Sequence, residues 1–470
     1  MRLFFCPMSI FRNCRQLLAL HQGSARRSTL GSTQRVALIA IMAWVLTGCA
    51  TSSDLYQARA EFASGEPIQA LYTLDNAEVS KRNKLLLLLD KGAIAFSAGQ
   101  YKLAQEALLE ANDLIEAWNQ IRVGEQASTL VTAEWAKRYR GESSEQLWVH
   151  SYLMMAFLLQ NNPEGAAVEA RRALVRIEEH EKTLHNDWFT RALIALSFEA
   201  AGVHDSAQVE YRKLIGDEYY DGAWNNVIQR HTKRLGRDPI PGVQDASFIP
   251  LETDTKLDNN EGELIVFLQA GEIARKLPGD LTLDIDLRIA FPFYADYQTP
   301  PPEFEVFANG DEVATDYIDT SLDTVAKNAL GARGNSIAAK QVARIATKKA
   351  IGRAARSEDE FLGAVVQILL FVTEQADTRS WETLPEWFSM IRIALPEGKN
   401  DVSLTVFHEG IEERVDLGEV FIEAGKLHFA NYRTNQPLPL DDGFSFDAPE
   451  SVTNLPTVPL SETVVPSPST

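Results

Sequence analysis

The sequence predicts an α+β chain: a helical repeat array first, then an antiparallel, sandwich-like β domain that carries an inserted helical hairpin. Three observations carry this reading. Near residue 58 the chain matches itself at a shift of 34 residues, beyond residue 262 the hydrophobic period shortens to that of strands, and from about 322 to 376 helical sequence interrupts those strands. The expected segments are a leader over 1–48, the helical array over 49–235, a linker over 236–262, the β domain over 263–434 and a tail over 435–470.

The leader ends in Leu46-Thr47-Gly48-Cys49, after an apolar run from Val36 and the basic residues Arg26, Arg27 and Arg35. A basic region, a short apolar stretch and small residues before a cysteine make a secretory signal. The tetrapeptide resembles a bacterial lipobox. That resemblance implies acylation of Cys49, which would become the first residue of the mature chain. Val36 to Leu46 is too short for a transmembrane helix, which takes about 20 apolar residues. Ala50 follows the cysteine where an aspartate would suggest inner-membrane retention, so the expected location is the outer membrane, with the folded domains in the periplasm.

Removing residues 1–48, with six arginines and no acid, takes the net charge from −20 to −26. So acidic a chain repels nucleic acid. The cysteines are Cys6, Cys14 and Cys49, which leaves no thiol pair for a disulfide or a cysteine-ligated metal after processing.

In the helical array, Ala58 aligns with Gly92, Phe62 with Phe96 and Gly65 with Gly99, and Ala70, Leu74 and Ala77 align with Ala104, Leu108 and Ala111. The small residues at Ala58, Gly92, Ala70 and Ala104 predict close helix packing, and Gly65 and Gly99 predict turns. A 34-residue period with a central glycine resembles the tetratricopeptide repeat, a helical hairpin that stacks into a superhelical arc. Two weaker units follow, around Asn161-Asn162-Pro163 and Gly202, and residues 119–147 are surplus to the period. The arc's inner face is expected to bind a protein or to pack on the second half of the same chain.

Gly236, Pro239, Pro241, Gly242 and Pro250 mark the linker. Strands are expected at Glu263 to Gln269, along the alternating run Leu281 to Ile289, at Phe304 to Phe307 before the Asn309-Gly310 turn, and at Phe388 to Leu395, Val402 to Phe407, Arg414 to Ile422 and Lys426 to Tyr432. Six or seven antiparallel strands predict a sandwich or a barrel-like sheet.

The insertion holds eight basic residues and no acid over 324–357. Lys340, Arg344, Lys348, Lys349 and Arg353 form a candidate contact with an anionic surface, or a face paired with the chain's own acids. Gly331 to Ser336 is read as a turn, and the charge-free run Phe361 to Thr373 as a buried helix. His180 and His185, five apart on a helix, would point about 140° apart and could not share a metal. Asp284 and Asp286 are explained by the solvated face of a strand. No catalytic motif, metal or cofactor is expected, and the chain is read as a non-enzyme.

Arg379 and Trp381, in Asp377-Thr378-Arg379-Ser380-Trp381-Glu382-Thr383-Leu384-Pro385, form a candidate pocket, or else a core anchor with a buried hydrogen-bonding arginine. With Gly271 to Gly279 and the flanking strands, this cluster resembles an uncharacterised family of proteobacterial outer-membrane lipoproteins. The resemblance implies a tetratricopeptide-like N-terminal half and a β-rich C-terminal half, and names no activity. The expected function is a lipid-anchored scaffold that binds periplasmic or outer-membrane proteins through its repeats. Envelope assembly or cell-wall synthesis is suggested by analogy with lipoprotein activators of peptidoglycan synthases. The alternative is a module that binds a ligand or anionic lipid through the β domain and its basic helix. The Pro-, Ser- and Thr-rich tail from Asn435 is expected to be disordered.

Overall fold

A computed structural model describes residues 53–120, 138–215, 224–235, 260–284, 287–295, 299–332 and 376–436. The helices begin with two hairpins, Ser53–Ala63 (α1) with Pro67–Asp75 (α2) and Lys84–Ser97 (α3) with Tyr101–Gln120 (α4). Ser143–Leu159 (α5) pairs with Pro163–Glu179 (α6), a short helix Glu181–Leu184 (α7) follows, and Trp188–Ala200 (α8) pairs with His204–Ile215 (α9) ahead of Asn225–Arg234 (α10). These hairpins turn through left-handed residues: Gly65 at φ 79°, Gly99 at 76°, Asn161 at 53° and Gly202 at 70°. A β-carbon resists that conformation, so glycine or the tolerant asparagine stands at each. A β-carbon on Gly92 would lie 2.5 Å from the Leu108 side chain, so its absence lets α3 and α4 meet closely. Pro163 opens α6 where no N–H is needed, and the Asn162 side chain accepts from the Gly165 amide at 3.0 Å.

The first helices of the pairs start at one end of the array. Asp54 on α1 accepts from the Glu78 amide at 3.2 Å, and the Tyr139 amide ahead of α5 donates to the Arg82 carbonyl ahead of α3 at 2.9 Å. Trp148 on α5 donates to Asp187, the N-cap of α8, at 2.9 Å.

The strands are Glu261–Ala270 (β1), Lys276–Asp284 (β2), Leu287–Tyr294 (β3), Glu303–Ala308 (β4), Asp311–Glu312 (β5), Asp316–Ser321 (β6), Trp387–Pro396 (β7), Gly398–His408 (β8), Ile411–Ile422 (β9) and Leu427–Arg433 (β10). One sheet has the order β10-β1-β7-β6, a second β5-β4-β8-β9, and β2 and β3 make a separate ribbon. The two larger sheets stack face to face and do not close into a barrel. Leu264, Val266, Ile391 and Ile393 of the first meet Leu404, Val406, Val415 and Val420 of the second. The other face of the first sheet turns Ile265, Phe267, Ile318, Phe388 and Met390 into one core with Phe96, Tyr152 and Phe189 of the helices. The layers are therefore helices, sheet, sheet. β1 is buried on both faces, which is why it reads as a continuous apolar run instead of an alternating one.

Several expectations need correction. The run Leu281 to Ile289 is not one strand: β2 ends at Asp284, β3 begins at Leu287, and Thr282 pairs with Arg288 across an antiparallel ladder. Alternation persists through a tight reversal, so periodicity alone could not see it. Asp284 ends β2, and Asp286 lies outside the described residues. Nor is the sheet wholly antiparallel, because β10 crosses back from the second sheet and lies parallel to β1, with Ile265 opposite Phe429. Residues 322–332 are helical, so Gly331 and Ala332 continue a helix instead of making a turn. α6 stops at Glu179, so His180 and His185 do not lie on one helix. β1 starts at Glu261, two residues before the expected strand. The tail begins later than Asn435: Asn435 donates its amide to Glu413 at 3.2 Å, and Gln436, buried, donates to the Phe62 carbonyl at 2.7 Å.

Candidate functional site between the helices and the sheet

The sheet face that meets the helices is apolar in its middle and charged at its ends. At one end Arg392 of β7, 2% exposed, donates to Glu263 of β1 at 3.0 and 2.6 Å and to Glu199 of α8 at 3.0 and 2.8 Å. Tyr211 of α9 donates to Glu199 at 2.7 Å, and Arg230 of α10 reaches Asp316 at 2.5 Å and Glu263 at 3.7 Å. Burial alone would raise the Glu199 pKa. The charge and hydrogen bonds of Arg392 outweigh it, with smaller help from His231 and Tyr211, and hold the carboxyl well below the usual carboxylate range. Charge-assisted, bidentate contacts of this kind tie α8 to two strands at once.

In the middle, the Tyr152 hydroxyl of α5 donates to Gln269 of β1 at 2.8 Å, and Gln269 donates to Asn431 of β10 at 2.9 Å. Tyr152 also packs edge-on to Phe96 and Phe388, with ring centroids 5.0 and 5.5 Å away. At the far end Arg59 of α1 pairs with Asp90 of α3 at 2.8 Å and Glu382 at 2.7 Å, and donates to the Ser380 carbonyl at 3.0 Å. Burial pushes the Asp90 carboxyl up to about 6, against the opposing pull of Arg59 and Thr383. Arg433 of β10 stacks over Phe62 of α1 at 4.8 Å and donates to the Thr383 carbonyl at 2.7 Å. Lys276 of β2, also buried, donates to Glu142 at the start of α5 at 2.7 Å and to the Arg379 carbonyl at 3.2 Å.

The candidate pocket residues lie at this second end. Trp381 is fully buried. Its ring packs on Tyr152 at 5.4 Å, its indole N–H donates to Thr383 at 3.0 Å, and its amide donates to Glu145 at 2.8 Å. Glu145 also accepts from the Tyr139 hydroxyl and from the Glu142 amide, so it closes the cap of α5 while holding Trp381. Arg379 makes a bidentate pair with Asp377 at 2.8 and 2.6 Å, donates to Asn83 at 3.0 Å and lies 5.4 Å from the Tyr139 ring. Its guanidinium is thus engaged by side chains; it is its carbonyl that meets Lys276. Ala58, Ala70 and Ala104 are wholly buried between helices. Cys49 and the basic residues Lys340, Arg344, Lys348, Lys349 and Arg353 lie outside the described residues, as does the run Phe361 to Thr373.

Arg59, Asp90, Glu142, Glu199, Glu263, Lys276 and Arg392 were not singled out from sequence. A signal did exist for two of them, since Glu263 and Arg392 stand inside otherwise apolar strands, where a charge needs a partner. These groups neutralise one another across the seam, and what the arrangement does chemically is lock the helices to the sheet. No helix among the described residues is long and apolar enough to cross a membrane. The chain matches no protein-family model, no curated protein and no solved structure.

Proposed function

We propose that this chain is an outer-membrane lipoprotein, anchored through acylated Cys49, whose periplasmic body is a non-enzymatic scaffold for envelope proteins. On this reading the helical pairs are tetratricopeptide-like units and the segment 322–376 is an inserted helical hairpin. The observation that carries it is the distribution of apolar residues over the helices. The first helices α3, α5 and α8 pack on the sheet, while large apolar groups stay in the open on the second helices, Ile68 and Tyr72 on α2, Val168 and Val175 on α6 and Val209 on α9, and on α1 at Tyr56, each between 46% and 67% exposed. Partner binding is therefore assigned to these open helix surfaces, because the side of the helical pairs that meets the sheet is already occupied by this chain's own strands. Envelope assembly and cell-wall synthesis are the contexts that the lipobox and repeats suggest.

The test has two parts. Cys49→Ser should yield a precursor that takes up no labelled fatty acid; acylation of that variant would overturn the anchor. Photo-crosslinking from Tyr72 and Val175 in the native envelope should capture the same protein partner from both positions, and a control at the exposed Lys399 on β8 should not. No adduct from either helix would overturn the scaffold.

A further inference from the structure

The β2–β3 ribbon presents an apolar face that is partly open to solvent. Leu277 pairs with Phe293 and Gly279 with Phe291, so these residues share one face of the ladder. Gly279 matters here, because a β-carbon there would stand 2.7 Å from the Phe291 ring, which lies across the bare backbone. Leu277, Phe291 and Phe293 are 40%, 38% and 40% exposed, whereas Lys276 and Ala290 on the opposite face are buried. One ribbon with three large exposed apolar side chains on a single face is the form of a contact site, not of scattered surface residues.

Its position identifies the occupant. Lys276, at the ribbon's base, is tied to Glu142 at the start of α5 and to the carbonyl of Arg379, whose side chain holds Asn83 just ahead of α3. Arg275 lies 3.5 Å from Glu382, which pairs with Arg59 of α1. The ribbon therefore leaves the body at the end where α1, α3 and α5 begin, the end that also holds Ser53. Only Ala50, Thr51 and Ser52 separate Ser53 from Cys49, a reach of about 14 Å when fully extended. A lipid on Cys49 would keep this end against the bilayer. We propose that Leu277, Phe291 and Phe293 insert into the interfacial layer of the membrane that holds the lipid anchor, giving the body a second, oriented attachment. The inference rests on the anchor proposed above. An acyl tether alone leaves orientation free, and a shallow apolar wedge beside it fixes which face looks away from the membrane.

The experiment uses the chain from Ala50 to Thr470, which contains no cysteine, so its outcome does not depend on acylation and the fatty-acid labelling of Cys49 tests the anchor separately. A polarity-sensitive dye on Phe293→Cys should shift to the blue with phosphatidylcholine vesicles and be quenched by brominated lipid. The same dye on Val168→Cys, at the opposite end of the helices, should not respond. Withdrawing the exposed two fifths of each side chain from water is worth about tenfold in partition. The variant Leu277→Ser/Phe291→Ser/Phe293→Ser should therefore bind vesicles about 100-fold more weakly or worse, with an unchanged thermal midpoint. The proposal is overturned if the Phe293 dye ignores vesicles or if the triple variant binds like the parent. It is equally overturned if binding needs phosphatidylglycerol and vanishes at high salt, which would make the contact electrostatic, or if the dye is already buried without vesicles in a concentration-dependent way, which would make a second copy the occupant.

Discussion

Arg392→Met should be among the most damaging single substitutions in this chain. The guanidinium is 2% exposed and makes four charge-assisted hydrogen bonds of 2.6 to 3.0 Å to Glu199 and Glu263. Its loss strands two buried carboxylates. Removing one partner from a buried ion pair costs about 3–5 kcal/mol, and Arg230, 3.7 Å from Glu263, together with the Tyr211 hydroxyl on Glu199, offsets only part of this. A loss of about 4 kcal/mol at pH 7 is expected by chemical denaturation of the chain from Ala50 to Thr470. The pH dependence gives an independent check. In the wild type the Glu199 pKa is depressed, so its contribution is complete above about 4.5 and is lost only as pH falls further. Without Arg392, burial raises the Glu199 carboxyl, and the folded variant takes up a proton as pH falls from 7. The deficit relative to wild type should then shrink toward pH 5. Glu199→Met/Glu263→Leu/Arg392→Met should recover most of the loss, since a buried ion cluster is replaced by apolar groups of similar size. A cost below about 1 kcal/mol for the single variant, or a deficit that is the same at pH 5 and pH 7, would refute the assignment of this cluster as the lock between α8 and the sheet.

Gly99→Val should lower the thermal midpoint of the chain from Ala50 to Thr470, because φ is 76° at that turn and a β-branched residue resists it by about 1–2 kcal/mol or more; an unchanged midpoint would remove Gly99 from the turn. Gly92→Ala should destabilise by about 1–3 kcal/mol through the 2.5 Å approach to Leu108, and Leu108→Ala should be less harmful on that background than alone, as a double-mutant cycle would measure. Asp90 has a folded pKa raised from 3.8 to about 6 by burial, so its contribution is full below about 4 and is lost as pH rises through 6. Asp90→Asn should flatten the fall in stability across that window, and denaturation midpoints at several pH values would expose a retained slope.

Turn chemistry was legible because it is local. Asn309-Gly310 and Glu409-Gly410 stand at positive φ between β4 and β5 and between β8 and β9, and glycine or asparagine is visible as such in a sequence. Strand direction was not. The parallel pairing of β1 with β10 joins residues about 160 apart, and a strand's hydrophobic pattern is the same whichever way its neighbour runs. The reversal between Asp284 and Leu287 escaped for a related reason, since apolar alternation on both arms of a tight ribbon reads as one strand.

The α+β composition of the chain was determined by sequence alone, because period and turn residues act within a few positions of themselves. The tetrapeptide Leu46-Thr47-Gly48-Cys49, outside the described residues, resembles a lipobox through residues that are likewise purely local. Which surfaces are free was decided only by tertiary structure. From sequence the helical pairs were open either to bind a partner or to pack on the second half of the chain, and in the fold one side of them packs on the sheet: Phe267, Phe388 and Met390 meet Phe96, Tyr152 and Phe189 in one core. Arg392 lay in the sequence as a lone charge in an apolar strand. Its partners Glu199 and Glu263 are 193 and 129 residues away, and the balance between the cost of burying a charge and the gain from pairing it exists only once the chain has folded.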